Sequence, residues 1–191
     1  MAAHKKRASH LGAYLVFVDE SGFLLMGTVS RTWAPQGKTP QIRYRYQHDK
    51  ISVISGLSVS PRYQRIGLYY HWQQGNIRRP DVCRFLGDLL RHLRGPIVVV
   101  LDNGKIHKGD EMRDFVEKHP RLHIEYFPGY APELNPDEGV WNQAKRALAN
   151  NRPETLDELS EQVLIEIETI RFSPARMRFC FHDSELPPFL R

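Results

Sequence analysis

Ile97-Val-Val-Val-Leu-Asp102 is a run of five apolar residues, four of them β-branched, closed by an acid. Bounded by Gly95-Pro96 before it and Asn103-Gly104 after it, the run reads as a strand covered on both faces. Upstream the period changes. Val82, Phe85, Leu86, Leu89, Leu90 and Leu93 recur at three- and four-residue steps, one face of a helix over residues 80–94 that Pro80-Asp81 opens and Gly95-Pro96 stops. A second apolar run, Tyr14-Leu-Val-Phe-Val18, also ends at an acid, Asp19. If the two strands are parallel neighbours, both carboxylates leave the same edge of an α/β sheet, where such sheets hold their ligands.

Working outward, Ser21-Gly22 is expected to turn the chain into a second strand at 24–33, followed by a loop at 34–40. Residues 51–59 alternate apolar and small polar side chains as a third strand should, and 67–72 adds a fourth. A weaker helix at 109–118 and a short strand at 122–127 come after Asp102. Asn135-Pro136 suits a helix cap and first position, so a helix is expected from 136 to about 149. Thr155-x-x-Glu158 forms a capping box before the stripe Leu156, Leu159, Val163, Ile167 and Ile170. Residues 173–191, with Pro187-Pro188, are expected to be irregular.

The 191 residues make room for one domain and an extension. The division expected is a basic N-terminal tail at 1–11, a main domain at 12–150 and a C-terminal helix and tail at 151–191. A net charge of +5 and a pI near 9.3 favour a polyanionic partner. Cys83 and Cys180 stand singly, without a CxxC pair, so a reducing, cytoplasmic setting is the expectation. The apolar run at 14–18 is too short for a membrane span or a signal segment, and no membrane partner is expected.

Two clustered carboxylates repel by about 4 kcal/mol at 4 Å and an effective dielectric near 20, so the pair calls for a cation or a shared proton. Oxygen-only ligation suits Mg²⁺ or Mn²⁺. A third acid is available in Asn135-Pro-Asp137-Glu138, although Glu138 three residues after Asn135 also fits a capping box with no chemistry. Helical period alone does not decide between Asp137 and Glu138, because Asp137 falls nearer the Val140/Ala144 stripe.

Three blocks of this sequence resemble the DDE transposases of the insertion-sequence 630 group, relatives of the Tc1/mariner elements. They are Asp19-Glu20-Ser21-Gly22, Asp102-Asn103 with His107, and Tyr130-Ala-Pro-Glu-Leu-Asn-Pro-Asp-Glu-Gly-Val-Trp141. Thirty-five residues lie between Asp102 and Glu138, near that family's usual separation. The Trp33-Ala-Pro-x-Gly loop is similar to the family as well. The resemblance covers roughly residues 12–150. It implies an RNase H-like α/β fold, a mixed central sheet with helices on both faces, here with a C-terminal helical extension.

By the same resemblance Asp19, Asp102 and Glu138 are the metal-binding triad for two Mg²⁺ or Mn²⁺ ions, with Asp137 in reserve for Glu138 and Glu20 for Asp19. Asn103, His107 and Asn135 are accessory candidates. The implied reaction is hydrolysis at transposon ends and transfer of the 3′-OH into target DNA. Arg62, Arg65, Arg78, Arg79, Lys105, Lys108, Lys145 and Arg146 are candidate phosphate contacts, and Tyr69, Tyr70 and Trp72 can stack on bases. Family analogy adds a homodimer when active and a nucleoid-associated location. Only 18 residues precede Asp19, so the helix-turn-helix module of full-length relatives is expected from an upstream polypeptide. A remnant that only binds DNA or pairs with active copies, or another RNase H-like nuclease, are the competing expectations.

Overall fold

In the computed structural model, residues 2–26, 30–38, 49–61, 65–129 and 131–186 are described, with side chains from Arg7 onward. After helix α1 (Ala2–Leu11), strand β1 (Tyr14–Leu24) lies at the centre of a five-stranded sheet. On one side it pairs antiparallel with β2 (Lys50–Val59), which pairs antiparallel with β3 (Ile66–Gln74). On its other side lie β4 (Ile97–Leu101) and β5 (Leu122–Tyr126), both parallel to it. The order β3-β2-β1-β4-β5 makes a mixed sheet.

The period of two along each strand sorts side chains onto two cores. Leu15 and Phe17 of β1, Val53 and Leu57 of β2, and Val98 and Val100 of β4 pack against α4 (Glu138–Ala147), α5 (Leu156–Arg171) and α6 (Pro174–Asp183). Val16, Val18, Ile54, Val99 and Leu101 face the opposite way, onto α2 (Arg79–His92) and α3 (Asp110–Glu117). Helix α2 buries the predicted Val82/Phe85/Leu86/Leu89/Leu90 stripe. Its last carbonyls are closed by the Arg121 guanidinium, which donates to Leu90, Leu93 and Gly95 oxygens at 2.7–3.0 Å.

Several expectations change. The chain does not turn at Ser21-Gly22: β1 continues to Leu24 because every residue from Leu15 to Leu24 has a partner on β2, and Ser21 and Phe23 are buried. Pairing overrides the turn propensity of Ser-Gly. No strand forms over the described part of 24–33 beyond Leu24; Trp33 is fully exposed, and residues 27–29 lie outside the described ones. Helix α1 occupies the stretch expected as a basic tail, with Ala8 buried and Arg7 paired with Glu125 of β5.

Nor is 173–191 irregular throughout. Ser173 caps α6 by accepting from the Arg176 N–H, Pro174 takes the first turn, and Met177, Cys180 and Phe181 join the core. Pro187-Pro188 lies outside the described residues. Close approach of α6 to α4 requires glycine at 139, where an added Cβ would stand 2.9 Å from the Cys180 Cα.

Candidate active site

Phe17 pairs with Val100 across the parallel β1/β4 ladder, so Asp19, within β1, and Asp102, the residue after β4, each stand two residues beyond that pair. Each continues the alternation of the face covered by α4, α5 and α6. Asp19 lies within β1 and not at its end, because β1 runs on along β2. Burial, then the charges of Glu138 and Glu20 and to a lesser degree Asp102, pushes its carboxyl up to about 8, against a hydrogen bond from the Glu20 backbone. The buried Trp141 indole of α4 donates to Asp19 Oδ2 at 3.1 Å.

Asp102 has the opposite surroundings. Its side chain is 57 % exposed, its Oδ1 lies 2.6 Å from His107 Nδ1, and the Gly104 N–H donates to the same oxygen at 2.8 Å. The His107 contact, against partial burial, holds this carboxyl below its ordinary value. His107 is 1 % exposed, and its Nε2 lies 3.0 Å from Glu20 Oε1. Although burial opposes the charge, bonds to Asp102 and Glu20 lift the imidazole to about 10, so both ring nitrogens carry protons at neutral pH.

The loop carrying His107 is braced from several sides. Tyr126 donates its hydroxyl to the His107 carbonyl at 2.9 Å, and Arg79 donates to the Lys105 carbonyl at 3.0 Å. Gly109 follows at φ +110°, a backbone region that favours glycine, and an added Cβ there would stand 3.2 Å from the Arg79 guanidinium carbon. Asn103 donates to the Phe127 carbonyl at 2.6 Å and accepts from Lys108, whose ammonium lies 5.2 Å over the Tyr126 ring. Those contacts give Asn103 and Lys108 bracing roles in the loop.

The third block enters through a single 3₁₀ turn, Pro132–Leu134; Tyr130 lies outside the described residues. Helix α4 begins at Glu138 with Asp137 as its cap residue, so neither Asn135 as cap nor Pro136 as first helical residue holds. The expected capping box is also absent, since the Asn135 N–H donates to the Pro132 carbonyl. Asn135 Oδ1 instead accepts from the Asp137 N–H at 3.2 Å. Among the described residues, no side chain hydrogen-bonds the half-buried Glu138 carboxylate.

Asp137 is fully buried. Ser55 Oγ donates to its Oδ2 at 2.6 Å, and Oδ1 has no hydrogen-bond partner among the described residues. Burial, relieved in part by Ser55 and reinforced by Asp19, Glu20 and Glu138, raises this carboxyl well above its ordinary value. An unsatisfied buried polar atom costs about 1–3 kcal/mol. Ser55 and Trp141 hydrogen-bond acids of the candidate site, contacts that residue types alone did not single out. The sequence signal for Ser55 is a hydroxyl on the inward face of β2, between Val53 and Leu57.

Five carboxyl groups thus gather about the β1/β4 tips, two of them, Asp19 and Asp137, pushed toward the protonated form, with the His107 imidazolium and the Lys108 ammonium on the Asp102 side. Oxygen donors, mutual repulsion and the raised Asp19 carboxyl fit a hard divalent cation. Among the described residues, no three acidic, histidine or cysteine side chains already stand disposed to hold one ion. His107 draws Asp102 toward itself, and Trp141 holds Asp19.

Of the candidate phosphate contacts, Arg78, Lys105, Lys108, Lys145 and Arg146 are exposed, whereas Arg62 lies outside the described residues. Arg78, Lys105 and Lys108 belong to segments around the His107 loop; Lys145 lines a separate groove with Phe23 and Leu148. Tyr69 and Tyr70 are engaged in packing: Tyr69 lies against His92, and Tyr70 donates to Glu168 Oε1 at 2.6 Å. Trp72 keeps a partly exposed ring. No helix among the described residues is long and apolar enough to cross a membrane.

Residues 14–160 match the family model described as DDE superfamily endonuclease. Among curated proteins none matches. A solved Mos1 mariner paired-end complex with Mn aligns at a TM-score of 0.60 and 17 % identity, over 98 % of this chain and 60 % of that one. The Mos1 transposase catalytic domain with raltegravir and Mg aligns at 0.53 and 17 %, over 97 % and 90 %. A simian T-cell lymphotropic virus intasome structure follows at 0.52 and 12 %, over 94 % and 58 %. The shared architecture is the RNase H-like fold, as the resemblance implied. This chain spans about three-fifths of the Mos1 chains in the DNA complexes.

Proposed function

This chain belongs to the DDE superfamily endonuclease family, and we propose that it is the catalytic domain of a DNA transposase of the Tc1/mariner type. In this reading it hydrolyses phosphodiesters at transposon ends and passes the freed 3′-OH to target DNA. The observation that carries the proposal is that Asp19 and Asp102 each stand two residues past the Phe17/Val100 pair of the parallel β1/β4 ladder, with Glu138 opening α4 beside the Trp141 that bonds Asp19. Asp19, Asp102 and Glu138 are the metal-holding carboxylates. Bound Mg²⁺ or Mn²⁺, two ions in this reading, supplies activation of the attacking oxygen and neutralisation of the leaving one.

The protein's own groups do the positioning. Trp141 fixes the Asp19 carboxylate through its indole N–H, and His107 keeps a proton on Nδ1 toward Asp102 and on Nε2 toward Glu20. Asp102 is exposed and Glu138 half-buried, which leaves both side chains room to turn toward a shared ion. Lys105, Lys108 and Arg78 lie on the DNA side of the site, where each neutralised phosphate adds salt-sensitive affinity. A second copy and an upstream helix-turn-helix polypeptide complete the active assembly.

The test is nicking of supercoiled plasmid with Mg²⁺ or Mn²⁺, wild type beside Asp102→Ala. Metal-dependent nicking by the wild type alone is expected. Equal activity in both, or none with either metal, rejects the enzymatic reading. Joining of a 3′-OH oligonucleotide into plasmid separates a transposase from a plain nuclease.

A further inference from the structure

Asp137 is the least accessible acid of the site, and although its Oδ1 lacks a hydrogen-bond partner among the described residues, its other carboxylate oxygen and its backbone are both held. Its Oδ2 accepts from Ser55 Oγ, its N–H donates to Asn135 Oδ1, and its side chain is sealed under the first turn of α4. Ser55 is the residue of β2 directly opposite Asp19 of β1, and it is itself fully buried. One hydroxyl therefore ties the start of α4 to the rung of the sheet that bears Asp19. Glu138 follows Asp137 immediately and Trp141 lies one turn on, so the same tie sets where both reach.

We infer that Ser55 and Asp137 form a positioning pair, which registers α4 on the sheet so that Glu138 and the Trp141–Asp19 contact meet, and that Asp137 itself is not a metal ligand. The inference rests on the proposed metal site but adds two residues to it and removes one reserve ligand. A helix start that slid by a few tenths of an ångström would leave the fold standing while displacing two of the groups around the ions. Residues that orient ligands without touching the metal change affinity or activity by about 10–100-fold when removed.

The readout is direct Mn²⁺ binding to the full chain, followed by paramagnetic resonance of the free ion, beside plasmid nicking and thermal unfolding. Ser55→Ala is expected to weaken Mn²⁺ binding about 10-fold and to slow nicking at saturating DNA; Ser55→Thr restores binding to within about threefold. Asp137→Asn keeps an acceptor for Ser55 and is expected to lose less than about threefold, whereas Glu138→Gln loses more than about 10-fold. Loss in Asp137→Asn equal to that in Glu138→Gln makes Asp137 a ligand and overturns the inference. So does unchanged binding and nicking in a folded Ser55→Ala. Should Ser55→Ala fail to fold, the Asp137→Asn and Glu138→Gln pair decides. A wild type that binds no Mn²⁺ and does not nick overturns the metal site and this pair together; a wild type that does both isolates the pair.

Discussion

Asp19 within β1 and Asp102 just past the end of β4 are the same residue type, each two residues beyond the Phe17/Val100 pair, yet their surroundings drive their carboxyls in opposite directions. Asp19 sits between β2 and α4, with like charges near it and one indole donor. Asp102 projects at the surface into a loop that supplies an imidazolium and a backbone N–H. The sheet supplies the spacing, and the elements packed over each tip supply the electrostatics. An acid kept short of counter-charge beside one that already has a cationic neighbour gains the more of the two when a cation arrives.

The largest expected effect comes from removing either carboxylate. Asp19→Asn should lower metal-dependent nicking at least about 100-fold, since metal charge stabilisation is worth several kcal/mol. It should also raise the stability of the metal-free chain at pH 8, because a buried repelled charge is gone. Chelation of the wild type should reproduce the first effect and not the second. If Asp19→Asn nicks like wild type, the buried acid has no part in the chemistry.

Next comes pH. The Asp19 carboxyl rises from 3.8 in the unfolded chain to about 8, so between those values the folded chain holds a proton that the unfolded one releases. Stability of the metal-free chain therefore falls as pH climbs from about 4 to about 8, and Asp137 adds a slope of the same sign. His107 contributes stability in full below about 6.5 that is lost as pH passes about 10. Asp102, lowered, contributes stability above about 3.8 that acid removes. Melting curves in chelator should show a decline of several degrees over pH 5–8, reduced in Asp19→Asn, and a further decline to pH 10, reduced in His107→Gln. Parallel curves for wild type and both variants would contradict the assignment.

A smaller effect follows from Trp141→Phe, which keeps an aromatic ring in the core but withdraws the donor to Asp19. Nicking is expected to drop about 10-fold, the scale of one hydrogen bond to a charged group. No drop would mean that Asp19 needs no donor. Smallest of all, Lys105→Ala at the Asp102 side should reduce the salt slope of DNA binding by about one phosphate, read by fluorescence anisotropy across salt concentrations. An unchanged slope would remove Lys105 from the DNA face.

How much of this was legible varies along the chain. Ile97–Leu101, the α2 stripe and the Thr155 cap were readable because period, caps and stops agree locally. The Asp19/Asp102 alignment was readable too, since two apolar runs each ending in an acid need only a parallel pairing. Continuation of β1 through Ser21-Gly22 was not, because it depends on β2, some 30 residues away. Helix α6 carried a legible Ser173-Pro174 start, overshadowed by the prolines that follow. The Ser55–Asp137 bond spans 82 positions, and no spacing rule reaches that far.

The profile of the family ends at residue 160, inside α5, but the helix beyond it presses against the very glycine that follows Glu138. Trimming the polypeptide to the matched span would withdraw Met177, Cys180 and Phe181 from beneath the turn that holds two of the acids. Shortened versions should therefore lose the footing of the reactive end and, with Val163, Ile167 and Ile170 gone as well, the cover over that whole face of the sheet.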